Sequence, residues 1–98
     1  MIQLDEQQRR SLAEVCLRYG FARLEVFGSV ARGDEQPDSD IDLLYDLAPG
    51  RHLTWAIVDA VDELSDILGR PVDLVSRRTL HPLMRDLVQA EARDLYAA

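Results

Sequence analysis

Cysteine is nearly absent from this sequence, long apolar runs are missing, and basic residues are scarce. The 98 residues contain 1 cysteine, which excludes an internal disulfide. His52 and His81 lie far from each other and from that cysteine in the sequence, so a zinc site has little support. No run approaches the roughly 20 apolar residues of a membrane span, and the N-terminus lacks the form of a secretion signal. We therefore expect a cytoplasmic protein with no membrane segment.

The charge balance argues against a nucleic-acid substrate. Asp and Glu number 18 against 11 Lys and Arg, which gives a formal net charge of −7, and aromatic residues make up only 6% of the chain. The chain has no basic stripe with interleaved aromatic residues of the kind that binds a phosphate backbone. The composition therefore disfavours nucleic acid as a binding partner.

Length and hydrophobic content predict one small domain over residues 1–98. Hydrophobic residues make up 47% of the sequence, which is enough for a core of modest size. The one cysteine, Cys16, stands at helical spacing with Leu12, Val15 and Tyr19, so we expect it to be a buried apolar residue. We find no repeat and no low-complexity tract.

Apolar periodicity predicts alternating helices and strands. Asp5 and Gln8 form a capping box that begins a helix over 5–19, and Gly20 ends it. The further predicted elements are strands at 22–27, 40–46 and 72–76, a helical turn at 29–33, a polar loop at 34–38, and a long helix from Leu53 to Leu68. A final helix that covers the sheet is predicted from apolar residues at helical spacing: Leu80, Leu83, Met84, Leu87, Val88 and Leu95. We expect an α/β (α+β) fold with a small mixed sheet of three to four strands flanked by helices.

Two aspartates one residue apart are the most informative feature. Asp40 and Asp42 flank Ile41, and Leu43 and Leu44 continue the apolar pattern. Residues i and i+2 of a strand point the same way, so the two carboxylates should share one face. At about 6 Å and an effective dielectric near 20 they repel by roughly 3 kcal/mol, which favours a bound cation. Mg²⁺ takes oxygen ligands of this kind together with substrate phosphates.

A glycine and a serine precede the aspartate pair by about ten residues. Gly28 and Ser29 follow the apolar strand 22–27. Gly28 lets the backbone approach a ligand closely, and Ser29 adds a hydroxyl where a helical turn begins, whose first amides can donate to phosphate oxygens. A Gly-Ser pair alone is a weak signal, because such pairs mark turns everywhere. Together with the aspartates, it indicates a nucleotide site.

The two segments together resemble the signature of a known superfamily. The runs Val26–Gly33 and Ser39–Leu44 are similar to the motif of the DNA polymerase beta-like nucleotidyltransferases. Within that superfamily the match is to the minimal nucleotidyltransferases, small proteins typified by MntA-type antitoxins. The resemblance implies the nucleotidyltransferase fold, and it covers about 20 residues at its core.

The superfamily uses a third acidic residue on a later strand. Asp73 is the candidate, because it is the one carboxylate within the short apolar run 71–75. Val72 and Leu74 should face one side and Asp73 the other, toward the aspartate pair if the strands are neighbours. The resemblance therefore implies a triad of Asp40, Asp42 and Asp73 that holds Mg²⁺ against the triphosphate, with Asp73 also activating the attacking hydroxyl. Taken alone, Asp73 could equally be a residue of an edge strand that faces water.

Other residues have both a functional and a plain interpretation. Arg32 could reach a triphosphate oxygen, as a basic residue does in the family, or it could be an exposed arginine in a turn. Ser39 could contact the nucleotide or could cap or brace the strand, and both readings stay open. Gly33 most simply ends the short helix. Arg77 and Arg78 after the third strand could steer a phosphate, but a solvated turn is the simpler interpretation.

Two functions from different classes follow from the resemblance. In the first, the chain is a Mg²⁺-dependent nucleotidyltransferase that moves AMP from ATP to a hydroxyl, implied to be a tyrosine of a cognate HEPN-type toxin, and so acts as its antitoxin. In the second, it is a catalytically weak or inactive antitoxin that neutralises its partner by binding. The intact set of Gly28, Ser29, Asp40, Asp42 and Asp73 favours the first. Transfer to a small molecule is disfavoured, since relatives of that type add a second domain. Whether the chain forms a homo- or hetero-oligomer is left open.

Overall fold

The computed structural model describes residues 3–28, 31, 33 and 40–97. The described residues form three α-helices and four β-strands. In chain order these are α1 (Glu6–Tyr19), β1 (Phe21–Phe27), β2 (Ile41–Leu47), α2 (Ile57–Leu68), β3 (Val72–Ser76), α3 (Pro82–Glu91) and β4 (Arg93–Ala97). A 3-10 turn over Thr54–Ala56 precedes α2.

The four strands form one mixed sheet in the order β3-β2-β1-β4. β1 runs antiparallel to both β2 and β4, whereas β2 and β3 are parallel. β1 and β2 are therefore the interior strands, and β3 and β4 form the edges. The expected fold class, a small mixed sheet flanked by helices, is confirmed.

The first helix has the ends that the sequence predicts. The Asp5 carboxylate accepts a hydrogen bond from the backbone N–H of Gln8 at 2.7 Å, and the Gln8 side chain accepts one from the backbone N–H of Asp5 at 3.0 Å. At the other end Gly20 takes φ +82°, which a glycine adopts without steric cost. α1 is thus capped at both ends by its local sequence.

The main core lies between one face of the sheet and the helices α1 and α2. It is formed by the buried residues Leu12, Val15, Cys16, Phe21, Leu24, Val26, Ile41, Leu43, Leu53, Ala60, Leu64 and Val72. The Gln8 side chain joins the two helices, because its Nε2 donates to the backbone oxygen of Ile67 at 3.0 Å. Cys16 is fully buried as predicted, and this burial raises the pKa of its thiol to about 12.

The predicted final helix is wrong in length and in packing. α3 ends at Glu91, and the following residues pair with β1 as the antiparallel strand β4, which includes Leu95. This pairing satisfies backbone groups that β1 would otherwise leave open at a sheet edge. Of the predicted apolar stripe only Val88 is buried, while Leu83 and Leu87 are 79% and 64% exposed.

The remaining boundaries differ from the predictions by small shifts. β1 begins at Phe21 and β2 runs from Ile41 to Leu47, so Asp40 lies just before its strand rather than within it. The long helix is confirmed but begins at Ile57, after the 3-10 turn. The predicted turn at 29–33 and loop at 34–38 lie outside the described residues, apart from positions 31 and 33. Among the helices described, none combines the length and the apolar character needed to cross a membrane.

Candidate active site

Two of the three predicted acidic residues are brought together by the parallel pairing of β2 and β3. Asp42 and Asp73 are direct partners in the register of these strands, so their side chains project from the same face of the sheet. Asp40 stands two residues before Asp42, just outside the beginning of β2. Asp40 and Asp73 are exposed and Asp42 is half-buried. The structure therefore presents carboxylates at the beginning of two neighbouring strands.

The position of β3 beside β2 is fixed by hydrogen bonds at both of its ends. At the beginning, the N–H of Ile41 donates to the backbone oxygen of Pro71 at 2.8 Å, and the N–H of Val72 donates to the Ser65 hydroxyl of α2 at 3.1 Å. At the far end, the N–H of Arg77 donates to the backbone oxygen of Tyr45 at 3.1 Å. A slip of one residue would turn Asp73 toward the core, and these bonds oppose it.

Gly28 lies directly against the Asp42 carboxylate. It follows β1 with φ +74°, and β1 ends at Phe27, the register partner of Asp42. A Cβ built on Gly28 would lie only 2.5 Å from Oδ2 of Asp42. The missing side chain therefore makes room for the carboxylate, and the positive φ favours glycine at the same position. This contact gives Gly28 a role at the site that the sequence motif alone does not explain.

The second face of the sheet is covered only in part. Leu44 is fully buried on this face, which Asp42 and Asp73 share, and α3 packs over it through Val88. α3 begins beyond the end of the edge strand β3 and finishes where the opposite edge strand β4 begins, so it crosses the sheet diagonally. Among the described residues, that path leaves uncovered the corner where β2 and β3 begin. Asp42 and Asp73 lie at this open corner.

A buried ion pair lies beneath α3 on the same face. The Glu25 side chain of β1 is 8% exposed and pairs with the Arg77 guanidinium, which is 19% exposed. Nε of Arg77 also donates to both carboxylate oxygens of Asp46, at 3.1 and 2.9 Å. Arg77 thus joins β1 and β2 to the turn that follows β3. Burial lowers the pKa of Arg77, and the positive charge of Arg23 adds to that effect.

The ion pair borders a small polar cavity that the sequence did not predict. Its volume is about 420 Å³, and its lining residues are Arg23, Glu25, Asp46, Arg77 and Gln89. Burial raises the pKa of Asp46, and the charge of Arg23 opposes the rise. The expectation that Arg77 lies in a solvated turn is therefore wrong. A carboxylate inside the apolar run of β1, at Glu25, was the signal that a buried cation had to be nearby.

Three predicted nucleotide-binding residues cannot be located. Ser29, Arg32 and Ser39 lie outside the described residues, so their predicted roles stay predictions. Gly28 is the one member of that group that the structure describes.

The carboxylates of Asp42 and Asp73 supply the oxygen ligands that a hard divalent cation prefers. Asp42 and Asp73 offer oxygen ligands side by side on adjacent strands, and the close approach of Gly28 limits where the Asp42 carboxylate can lie. Within the described ranges, no group of three potential ligand side chains is already gathered around one point. Substrate phosphates commonly supply part of the coordination of Mg²⁺ in proteins.

A second cavity lies at the opposite end of β2 and belongs to a different region. Its volume is about 430 Å³, and it is bordered by the residues around the end of β2 and the following loop, including Tyr45, Arg51 and Arg78. Tyr45 is three residues along β2 from Asp42, and Arg51 and Arg78 lie past the ends of β2 and β3. We therefore assign the candidate active site to the open corner and not to this cavity.

Comparison with known proteins supports a shared family. The model of the family described as "Nucleotidyltransferase domain" matches residues 9–95. A candidate protein adenylyltransferase of Methanocaldococcus jannaschii is 34% identical over 87 residues, which cover 89% of this chain and 92% of that relative.

Two solved structures have a similar fold. A candidate minimal nucleotidyltransferase is 42% identical, with 91% of this chain and 90% of that chain covered and a TM-score of 0.74. A chain from a toxin-antitoxin structure with AMP-PNP is 21% identical, with 92% of this chain and 73% of that chain covered and a TM-score of 0.71. At 21% identity, the similarity to the second structure shows only that the fold is shared.

Proposed function

The chain belongs to the nucleotidyltransferase domain family, in its minimal nucleotidyltransferase group, and on that premise we propose that it transfers AMP from ATP to a hydroxyl of a HEPN-type toxin. A tyrosine is the proposed acceptor, and the modification switches the toxin off. The observation that carries the proposal is the pairing of Asp42 with Asp73 on one face, with Gly28 against the Asp42 carboxylate.

Asp40, Asp42 and Asp73 would hold Mg²⁺. When bound, the ion supplies positive charge that neutralises the triphosphate and the charge that develops on it during transfer. Gly28 keeps the backbone close to the Asp42 carboxylate without a side chain between them. Ser29 and Arg32 are proposed to bind phosphate oxygens, and Ser39 is proposed to contact the nucleotide.

The transfer itself requires one proton acceptor near the reacting hydroxyl. Asp73 is exposed at the open corner, where an acceptor side chain can approach it. A carboxylate oxygen of Asp73 takes the hydroxyl proton as the hydroxyl oxygen forms a bond to the α-phosphorus. The bond from that phosphorus to the bridging oxygen breaks, and pyrophosphate leaves. The products are an AMP ester of the acceptor and pyrophosphate.

A protein is the acceptor class that the charge and size of the chain favour. The net charge of −7 disfavours a nucleic acid, whose phosphates would be repelled. Transfer to a small molecule is disfavoured, since relatives of that type add a second domain, whereas a protein acceptor brings its own contact surface. The relative with 34% identity carries the name of a protein adenylyltransferase, and a neighbour in fold belongs to a toxin-antitoxin complex with AMP-PNP, which also support the proposal.

Transfer of label from ATP tests the proposal directly. The purified chain is incubated with Mg²⁺, ATP labelled on the α-phosphate and the purified cognate HEPN-type toxin, and the modified residue is located by mass spectrometry. Asp42→Asn and Asp73→Asn should each abolish labelling, because each removes a carboxylate charge without emptying the core. Asp62→Asn, an exposed position on α2, is the matched control and should label normally.

The outcomes separate the enzyme from a purely binding antitoxin. Labelling that depends on Asp42 and Asp73 supports the transferase. Tight binding of the toxin without labelling, or labelling that survives both substitutions, would overturn the proposed chemistry. A chelator that removes Mg²⁺ should abolish labelling. Restoration of labelling by excess Mg²⁺ tests the metal requirement without any substitution in the chain.

A further inference from the structure

The helix α3 exposes large apolar side chains that its own fold does not use. Leu83 is 79% exposed, Leu87 is 64% exposed and Met84 is 48% exposed. Leu83 and Leu87 are one helical turn apart, and Met84 adjoins them, so the three form one continuous strip. We refer to these three residues as the α3 apolar surface. Such a contiguous patch on a small protein marks an interaction site more often than a single exposed leucine does.

Leu83 and Leu87 do not lie on the side that holds the helix in place, whereas Met84 is one helical turn from Val88 and borders that side. Val88 is the one residue of α3 that is buried, at 6% exposure. Gln89 borders the polar cavity together with Glu25 and Asp46, so that side of the helix also faces the sheet. A second side, with Leu83 and Leu87, is left for contact with another molecule.

This surface lies on the same side of the sheet as the candidate active site. Asp42, Leu44 and Asp46 alternate along β2 onto one face, and α3 covers the Leu44 and Asp46 part of it. The opposite face is covered by α1 and α2. A protein whose hydroxyl reaches Asp42 and Asp73 must therefore lie over the α3 side.

We propose that the α3 apolar surface is the docking site for the protein that receives AMP, which rests on the proposed function. The partner it fits presents an apolar groove that takes Leu83 and Leu87 as anchors, the mode in which an amphipathic helix binds a groove. Docking there places the partner on the same face of the sheet as Asp42 and Asp73. Asp86, three residues after Leu83, supplies a charge at the rim, which suits a polar border around an apolar contact.

The test compares two double variants with equal added charge. Leu83→Glu with Leu87→Glu places two carboxylates in the α3 apolar surface, and glutamate forms helices nearly as well as leucine. Leu17→Glu with Val58→Glu is the matched control, because these residues are 70% and 61% exposed on α1 and α2, across the sheet. Urea unfolding establishes that both variants remain folded.

Affinity for the purified cognate HEPN-type toxin is measured by isothermal titration calorimetry. The α3 variant should bind about tenfold or more weakly, and the control should stay within about twofold of the wild type. Binding of a fluorescent ATP analogue should be unchanged in both, since neither pair of residues lies at the carboxylates. AMP transfer to the toxin should fall with the α3 variant at subsaturating toxin and recover as the toxin concentration is raised.

Three results would overturn the docking site. The first is unchanged toxin affinity in the α3 variant, and the second is an equal loss in the control. The third is a wild-type dimer, seen by sedimentation velocity, that becomes monomeric in the α3 variant, because a second copy would then occupy the surface. Toxin binding through this surface without AMP transfer would instead refute the proposed chemistry and leave the docking site standing.

Discussion

Replacement of Gly28 by alanine should reduce AMP transfer far more than it reduces the stability of the fold. At φ +74° a residue with a Cβ costs about 1 to 2 kcal/mol of stability. The new Cβ would also lie 2.5 Å from Oδ2 of Asp42. An ordinary contact is about 3.5 Å, so the carboxylate must move by about 1 Å. The movement costs the core little, because the carboxylate is at the end of the Asp42 side chain. It would, however, displace the carboxylate from a bound metal ion or substrate.

The expected result is a modest loss of stability with a large loss of activity. Gly28→Ala should lower the free energy of unfolding in urea by about 1 to 2 kcal/mol. AMP transfer should fall by about a hundredfold, because a displacement of about 1 Å at reacting groups has an effect of that size. Unfolding is followed by circular dichroism, and transfer is followed with ATP labelled on the α-phosphate.

Gly50→Ala is the matched control for backbone strain. Gly50 has φ +79°, and a Cβ there would have no atom within 4 Å. The control should lose the same stability as Gly28→Ala and keep full activity. If both variants keep transfer within about threefold of each other, the contact between Gly28 and Asp42 does not position the carboxylate, and the assignment of the site loses its main geometric support.

Three further predictions concern residues outside the candidate active site. Arg77→Met removes the more buried of the two arginines that pair with Glu25 and leaves Arg23 at 3.6 Å, so the free energy of unfolding should fall by about 2 kcal/mol, and addition of Glu25→Leu should recover most of it; an Arg77→Met variant as stable as wild type would contradict the ion pair. The hydrogen bond from Tyr19 lowers the pKa of Glu63 below its ordinary 4.5. The ionised Glu63 therefore stabilises the folded state above pH 4.5, and this stabilisation is lost as the pH falls through the lowered folded-state pKa. The melting temperature should therefore fall more steeply below pH 4.5 in the wild type than in Tyr19→Phe, and equal slopes would argue against this hydrogen bond. Because burial raises the pKa of Cys16 to about 12, a thiol reagent should label the native chain only as fast as it unfolds, and rapid labelling without urea would show that the thiol is accessible.

The local elements were predictable because their signals are short in range. The capping box of Asp5 with Gln8 and the glycine at position 20 determine the ends of α1 within neighbouring residues. Alternation of apolar and polar residues was enough to identify the strands that carry Asp42 and Asp73, with boundaries off by one residue at β2. The fourth strand was missed, because residues 93–97 become a strand only where β1 offers a free edge.

The candidate site was predictable in its residue types but not in its arrangement. The sequence indicated that Asp73 would face the aspartate pair if its strand lay beside β2, and the structure has that neighbour relation. The approach of Gly28 to the Asp42 carboxylate and the ion pair of Glu25 with Arg77 were not predictable. Both depend on distances between chain segments that local patterns do not determine.

The sequence by itself determined α1, α2, the first three strands, the paired carboxylates and the family resemblance, since each depends on residue type and spacing along the chain. Only the tertiary structure decided the parallel register that sets Asp42 beside Asp73 and the diagonal path of α3. That path leaves the carboxylate corner uncovered by the described residues, and it leaves the side of α3 with Leu83 and Leu87 exposed. The physical reason is that strand pairing and helix packing join residues that are far apart in sequence. Which pairing is most stable depends on the backbone hydrogen bonds and the apolar burial of the whole fold, and not on the local sequence.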